Sequence, residues 1–247
     1  MTNTTGVPLI GAHRGATASA AENTMAAFQA AIALKADFIE TDIRRTADGV
    51  LVLHHDPEIG PLRISNTAFA DLQAAPLSRP LATLEDLLRL AKGKIGLDLE
   101  LKEAGYESQI AALLRALTFD PETFVMTSFL ESAVRAFKKT YPEAKCGLLV
   151  EDHSWQTDAS PETLLQRCCA DFAAAQDRLI TAGLVSRLAS NGFPVWVWTV
   201  NEPNRIADLL AMPGIEAIIT DDVSAAQNEQ AEARKSLIKD RNSESSS

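Results

Sequence analysis

The sequence predicts a (β/α)8 barrel, an α/β fold, and three observations carry that prediction. Short apolar bursts of strand length alternate with helix-length segments along most of the 247 residues. Nearly every burst ends in a polar residue, as strands do when their carboxyl ends open into a barrel mouth. The chain is 46% hydrophobic, enough at this length for one large core.

The elements follow in order. "PLIGA" (8–12) is the first strand, and a helix at 22–35 opens on Glu22–Asn23–Thr24, where capping accounts for Asn23 or Thr24 and Glu22 can hydrogen-bond elsewhere. "DFIETD" (37–42) and "VLVLHH" (50–55) are joined by the Asp48–Gly49 turn. So tight a turn makes an antiparallel hairpin, not a crossover. Nine strand candidates therefore compete for eight places, the excess falling at 37–55, and the early barrel is expected to be irregular. Thr83, with Glu85 and Asp86 behind it, starts a helix at 83–92. "KIGLDLEL" (94–101), "TFVMTSF" (123–129) and "KCGLLV" (145–150) alternate with helices at 106–117 and 130–140. Ser160–Pro161–Glu162 opens a helix at 161–169, with proline at the first helical position. "ADFAAA" (170–175), a helix at 181–191, "PVWVWTV" (194–200), a helix at 203–211 capped from Asn201 to Pro203, and "EAIIT" (216–220) complete the alternation. Residues 1–223 read as a single barrel domain, and 224–247 as a polar C-terminal tail, a helix fraying into partial disorder.

Bulk properties narrow the function. A net charge of −10 argues against nucleic acid or an anionic membrane as the main partner, and any anionic substrate must be held by local cations. No apolar run approaches membrane-spanning length, so no integral membrane contact is expected. The N-terminus lacks a basic start and apolar stretch, which makes a cytoplasmic location the expectation. Cys146, Cys168 and Cys169 form no disulfide framework and no zinc spacing.

Polar residues collect at the strand ends. Glu40 and Asp42 lie two apart and face one side of their strand, with Ile39, Thr41 and Ile43 on the other. Two anions aimed together are costly unless a cation or a salt bridge joins them. With Glu100 from "LDLELK" they make a hard oxygen site suited to Mg²⁺ or Ca²⁺; salt bridges to Arg14, Arg44 or Lys102 are the other explanation. His13 and His55, two of only four histidines, end strands and suit general acid–base work near neutral pH. Arg14 and Lys102 are candidate phosphate clamps, and Gly15 permits close backbone approach. His54 points away from His55 and reads as structural, Trp198 as pocket wall or core, Asp56 as an orienting group or a turn residue, and Asp221 as support for the site.

The segment "GAHRGATASAAENTMAAFQAAIALKADFIETDIRRTADGVLVLHHDP" joins an HRG, an ENT, an ExD and an HD in that order. It resembles the N-terminal signature of the glycerophosphodiester phosphodiesterase family, and "LELK", "TSF", "VWVWTVN" and "IITDD" resemble that family's later motifs. The resemblance implies a metal-dependent barrel hydrolase. His13 and His55 would be its acid–base pair, Glu40, Asp42 and Glu100 its ligands for a divalent cation, and Arg14 and Lys102 its phosphate contacts. It further implies attack by the glycerol 2-hydroxyl through a cyclic phosphate, releasing an alcohol and sn-glycerol 3-phosphate. The implied partner is a small-molecule phosphodiester, with oligomeric state unassigned. Relatives acting on lysophospholipids, or on another sugar phosphodiester, are the alternative. The stretch "PEIGPLRISNTAFADLQAAPLSRPLATLEDL" is shorter than the usual family insertion there and lacks its Arg–Thr–Thr-like start, which implies a more open substrate roof.

Overall fold

A computed structural model describes residues 1, 6–76, 79–151 and 160–244, with the backbone alone for 236–244. In chain order its strands are β1 (Leu9–Ala12), β2 (Phe38–Arg45), β3 (Leu51–Leu53), β4 (Glu58–Ile59), β5 (Leu62–Arg63), β6 (Gly96–Leu101), β7 (Phe124–Ser128), β8 (Lys145–Val150), β9 (Phe172–Gln176), β10 (Val195–Trp198) and β11 (Ile215–Thr220). Strands β1, β2 and β6 to β11 pair in parallel around a ring that closes where β11 and β2 flank β1. This is the barrel that the alternation predicts.

The surplus strand is β3. It pairs antiparallel with the far end of β2, Ile43 opposite Leu53 and Arg45 opposite Leu51, and has no place in the ring. β2 pairs with β6 from Phe38 to Ile43 and then overshoots it. The chain turns at Thr46–Gly49 and folds back, so that the His54 amide donates to the Asp42 carbonyl at 3.0 Å. The hairpin thereby returns His54 and His55 to the rim above the β2 carboxylates. The short β4–β5 ribbon and helix α2 (Phe69–Ala74) occupy the segment that follows.

The helices are α1 (Met25–Ala33), α2 (Phe69–Ala74), α3 (Leu84–Ala91), α4 (Glu107–Ala116), α5 (Glu131–Thr140), α6 (Pro161–Cys168), α7 (Ala182–Ser190), α8 (Pro203–Leu210) and α9 (Val223–Glu244). Thr24, Thr83 and Ser160 each accept a first-turn amide, from Ala27, Asp86 and Thr163, as their positions predict. The α8 start differs from its expectation. Its N-cap is Glu202, with no side-chain cap, because Asn201 is turned toward β11, accepting from Thr220 and Asp221 and donating to Asp221. Helix α9 occupies 22 residues of the C-terminal stretch, and Gln230 near its middle is buried, donating to the Pro8 carbonyl at 2.8 Å. Residues 245–247 of the expected tail lie outside the described residues. Among the described residues, no helix is long and apolar enough to cross a membrane.

Alternation along the strands sorts two cores. Outward residues such as Ile39, Ile43, Leu97, Leu99 and Val197 pack under the helices. Inward residues Phe38, Val125, Phe172 and Trp196 fill the lower barrel, with Trp196 against Phe172 at 4.6 Å and Phe38 at 4.9 Å between ring centroids. Gly11 and Gly147 make room for this layer, since a Cβ at either would overlap the Phe38 or Phe172 ring. The aromatic layer plugs one end of the barrel, so the interior opens at the strands' carboxyl ends.

Candidate functional site

Above that plug lies a cavity of about 330 Å³ lined by His13, Arg14, Glu40, His55, Glu100, Lys102 and Trp198, among others. One inward face of β2 presents Phe38 to the plug, then Glu40 to the cavity, with Asp42 next along the same face and fully buried. β6 aligns in register beside it, with Asp98 opposite Glu40 and Glu100 opposite Asp42. The carboxylates are thus delivered by strand register, and Glu40, Asp42 and Glu100 bring oxygens within 4.8 Å of one another.

Their electrostatics are unfavourable without a cation. All three are buried, as is Asp98 beneath them. Burial, with Asp42, Glu100 and Asp98 alongside, pushes the Glu40 carboxyl well above its usual range. Burial lifts Glu100 to about 7 against the pull of Lys102, and lifts Asp98 to about 8 although Thr127 donates to it at 2.7 Å. Burial works against Asp42 too, but Lys102, Arg14 and a 2.7 Å hydrogen bond from Asn23 hold its carboxyl below the usual range. Lys102 Nζ stands 2.9 Å from Asp42 Oδ1 and 2.6 Å from Glu100 Oε1. These are charge contacts, for neither oxygen accepts an aligned hydrogen bond. Three carboxylates whose oxygens lie within 4.8 Å of one another, with a single ammonium shared between two of them, form a ring of hard donors that fits a divalent cation. A polar third layer supports them: Thr41 donates to the Asn23 carbonyl oxygen at 2.7 Å, which turns the Asn23 amide toward Asp42. Thr24, then, is the cap of α1, and Asn23 belongs to the site.

Each imidazole is backed by a carboxylate. His13 Nδ1 lies 2.8 Å from Asp221 Oδ1, and the Asp221 carboxyl is drawn down to about 2, chiefly by that bond. An ionised carboxylate can only accept, so Nδ1 donates and Nε2 is left for the cavity. Thr17 and Asn201 also donate to Asp221, at 3.2 Å and 2.7 Å. His55 Nδ1 lies 2.8 Å from Asp56 Oδ1 on the more exposed side of the rim. The His55 backbone is anchored instead: buried Arg44 donates twice to its carbonyl, at 2.9 Å and 2.6 Å, and also binds Glu103. His54 lines a separate cavity of about 200 Å³ behind the hairpin, apart from His55.

Arg14 follows β1 with a left-handed backbone (φ 55°), which sends its amide to Glu40 Oε2 at 2.9 Å. Its NH1 donates to Glu22 Oε2 at 2.8 Å and its Nε sits 3.3 Å from Asp42 Oδ2. Trp198 donates to the Ala174 carbonyl, so its ring crosses β9 and meets Phe129 edge-on at 5.6 Å. Lys102 Nζ lies over the Phe129 ring, 5.9 Å from its centroid, and Phe129, Leu149, Glu151 and Trp198 also line the cavity. Of these the sequence singled out only Trp198; Phe129 carried a signal, lying just past the polar end of its strand. The sequence offered Arg44 as a salt-bridge partner of the β2 carboxylates and Asn201 as a cap, whereas the structure gives Arg44 to the His55 carbonyl and Glu103, and Asn201 to Thr220 and Asp221.

Asp221 supplies a check on this geometry. A depressed carboxyl contributes stability that is complete above its unfolded value of about 3.9 and is lost as pH falls toward 2. Urea midpoints should therefore separate wild type from Asp221→Asn at pH 5, and the gap should close as the pH approaches 2. A gap independent of pH would remove the charge from the explanation.

Known proteins resemble this chain over nearly its whole length. The model of the glycerophosphoryl diester phosphodiesterase family matches residues 13–225. A glycerophosphodiester phosphodiesterase of Caldanaerobacter subterraneus is 27% identical, over 87% of this chain and 94% of that protein. The Bacillus subtilis protein YhdW is 29% identical, over 85% of this chain and 93% of its own. Among solved structures, a glycerophosphodiester phosphodiesterase from Parabacteroides distasonis superposes with a TM-score of 0.79 at 24% identity, covering 91% of this chain and 97% of that one. An Oleispira antarctica phosphodiesterase, solved in complex with the product sn-glycerol-3-phosphate, gives 0.78 at 23% identity, covering 90% and 96%.

Proposed function

Because this chain belongs to the glycerophosphoryl diester phosphodiesterase family, we propose that it hydrolyses glycerophosphodiesters to an alcohol and sn-glycerol 3-phosphate by histidine acid–base catalysis at a divalent-cation centre. One observation carries this reading: two carboxylate-backed imidazoles and two cationic side chains line a single cavity together with Glu40 and Glu100, whose oxygens cluster with those of buried Asp42.

Glu40, Asp42 and Glu100 are the residues to hold Mg²⁺ or Ca²⁺. Such an ion, when bound, supplies a Lewis acid for a phosphoryl oxygen. Lys102, held between Asp42 and Glu100, would be the ammonium to meet the phosphate, with Arg14 as the second cation. One imidazole takes the proton of the attacking glycerol 2-hydroxyl, and the other protonates the departing alcohol. A cyclic phosphate forms and water opens it, the two histidines exchanging roles.

The rest of the lining speaks to the alcohol. Phe129, Trp198 and Glu151 line the same cavity, an aromatic and acidic set suited to the cationic alcohols of glycerophosphocholine and glycerophosphoethanolamine. The reaction belongs to lipid and glycerol metabolism, and a cytoplasmic setting goes with soluble diesters. A second reading, phospholipase D-like action on lysophospholipids, draws support from Phe129 and Leu130, which are 36% and 40% exposed at the mouth. A substrate panel with Mg²⁺ or Ca²⁺ separates them. Release of sn-glycerol 3-phosphate from glycerophosphocholine faster than choline-product release from lysophosphatidylcholine supports the first. The reverse order supports the second, and silence on both with either metal overturns the assignment.

A further inference from the structure

We infer that Arg79, on the connection between β5 and α3, is a positioning residue for phosphate binding, acting through Glu22 on Arg14. The inference rests on the reading of Arg14 as a phosphate contact. Arg79 itself lines the cavity behind the hairpin, with His54 and Asp56, and is not among the residues lining the catalytic one.

The geometry is a chain of charges. Arg79 NH2 donates to Glu22 Oε1 at 2.8 Å, while Arg14 NH1 donates to Glu22 Oε2 at 2.8 Å. One carboxylate is thus shared by two guanidinium groups, one oxygen each. Burial opposes the charge on Glu22, but the hydrogen bonds from Arg79 and Arg14 keep its carboxyl below the usual range, so it is ionised at neutral pH. All three side chains are largely removed from solvent, at 20%, 31% and 24% exposure for Arg14, Glu22 and Arg79.

The sharing matters because of what surrounds Arg14. Its amide meets Glu40, its Nε faces Asp42 and its NH1 meets Glu22. Among the described residues these are the partners of N, Nε and NH1, which leaves NH2 to reach a phosphate oxygen. A free Glu22 carboxylate would take Arg14 with both oxygens, since parallel two-point pairing is the strong geometry for guanidinium and carboxylate. That pairing would consume the remaining donor and draw the guanidinium out of the cavity. Arg79 occupies Oε1 and prevents it. The short segment after β3 thus contributes to the site from outside, by dividing one carboxylate's hydrogen-bonding capacity.

The prediction is an affinity effect transmitted through Glu22. With glycerophosphocholine as substrate and saturating metal, Arg79→Gln should raise KM and the inhibition constant of inorganic phosphate about tenfold while kcat changes by less than about threefold, a size typical of one charged hydrogen bond. Arg79→Lys, which restores the charge and one donor, should recover part of the loss. In a Glu22→Gln background, Arg79→Gln should have no further effect, because its target is gone. Equal losses in both backgrounds, or a phosphate inhibition constant within twofold of wild type, would overturn the inference. So would a loss that Lys fails to recover and that tracks a lowered melting temperature. Arg14→Ala separates the two levels. If it weakens phosphate inhibition while Arg79→Gln does not, only the role of Arg79 falls. If it leaves phosphate inhibition unchanged, the reading of Arg14 falls first.

Discussion

Replacing His13 or His55 by alanine should each lower turnover of glycerophosphocholine by about 10² to 10⁴, the range for loss of a positioned general acid or base. KM should move far less, because Arg14, Lys102 and the cation are the groups proposed to hold the phosphate. The two substitutions together should cost much less than the product of the single losses, since one reaction coordinate needs both proton transfers. The structural basis is that each ring is held by its Nδ1, at 2.8 Å from Asp221 or Asp56, with Nε2 free to face the cavity. The supports differ in burial. Asp221 is itself held by Thr17 and Asn201, whereas Asp56 is 69% exposed. Removing Asp221 should accordingly slow the enzyme more than removing Asp56. Steady-state kinetics at saturating metal, on variants shown to melt like wild type, provide the measurement. A His13→Ala enzyme within threefold of wild-type kcat would exclude that ring from proton transfer.

Chelation is the second large effect. In excess EDTA, turnover should fall to background, and it should return on adding Mg²⁺ or Ca²⁺. Stability offers an independent readout. Glu40, Glu100 and Asp98 all have carboxyls raised by burial and by neighbouring carboxylates, Asp42 among them. The sign follows from linkage: above their unfolded values of about 4, the unfolded chain ionises these groups more readily than the folded one, so the metal-free protein loses stability as pH rises. The loss continues up to the folded values, about 7 for Glu100 and about 8 for Asp98, and then levels off. A bound divalent cation should reverse that slope. At a hundred times its dissociation constant it adds about 2.7 kcal/mol by mass action, measurable as a rise in melting temperature. Asp42→Asn should abolish both the rise and the activity. Glu40→Gln should instead make the metal-free protein more stable while inactivating it, because it removes a buried carboxyl that Asp42, Glu100 and Asp98 repel when it is charged. A melting temperature indifferent to Mg²⁺, Ca²⁺ and EDTA would count against a cation at these carboxylates.

Much of this was legible in the chain. Strand–helix alternation, the polar residue at each strand end and the Asp48–Gly49 turn are local signals, set by side-chain period and backbone preference. The spacing of Glu40 and Asp42 placed both on one strand face, because that period is two residues whatever the surroundings. Thr24, Thr83 and Ser160 cap as they read, since a cap needs only neighbours within one turn. Local preference lost at Asn201, where two acceptor contacts and one donor contact with β11 outbid a cap.

What the sequence determined by itself is therefore a barrel with its polar residues at one end, since strand period, turn chemistry and capping act over a few residues. The tertiary structure alone decided which charges meet. The β2–β6 register set Glu100 beside Asp42, the antiparallel return of β3 carried His55 to the rim, and Arg79 reached Glu22 across 57 positions. Such pairings depend on how distant segments pack, and no local pattern encodes the distance between them.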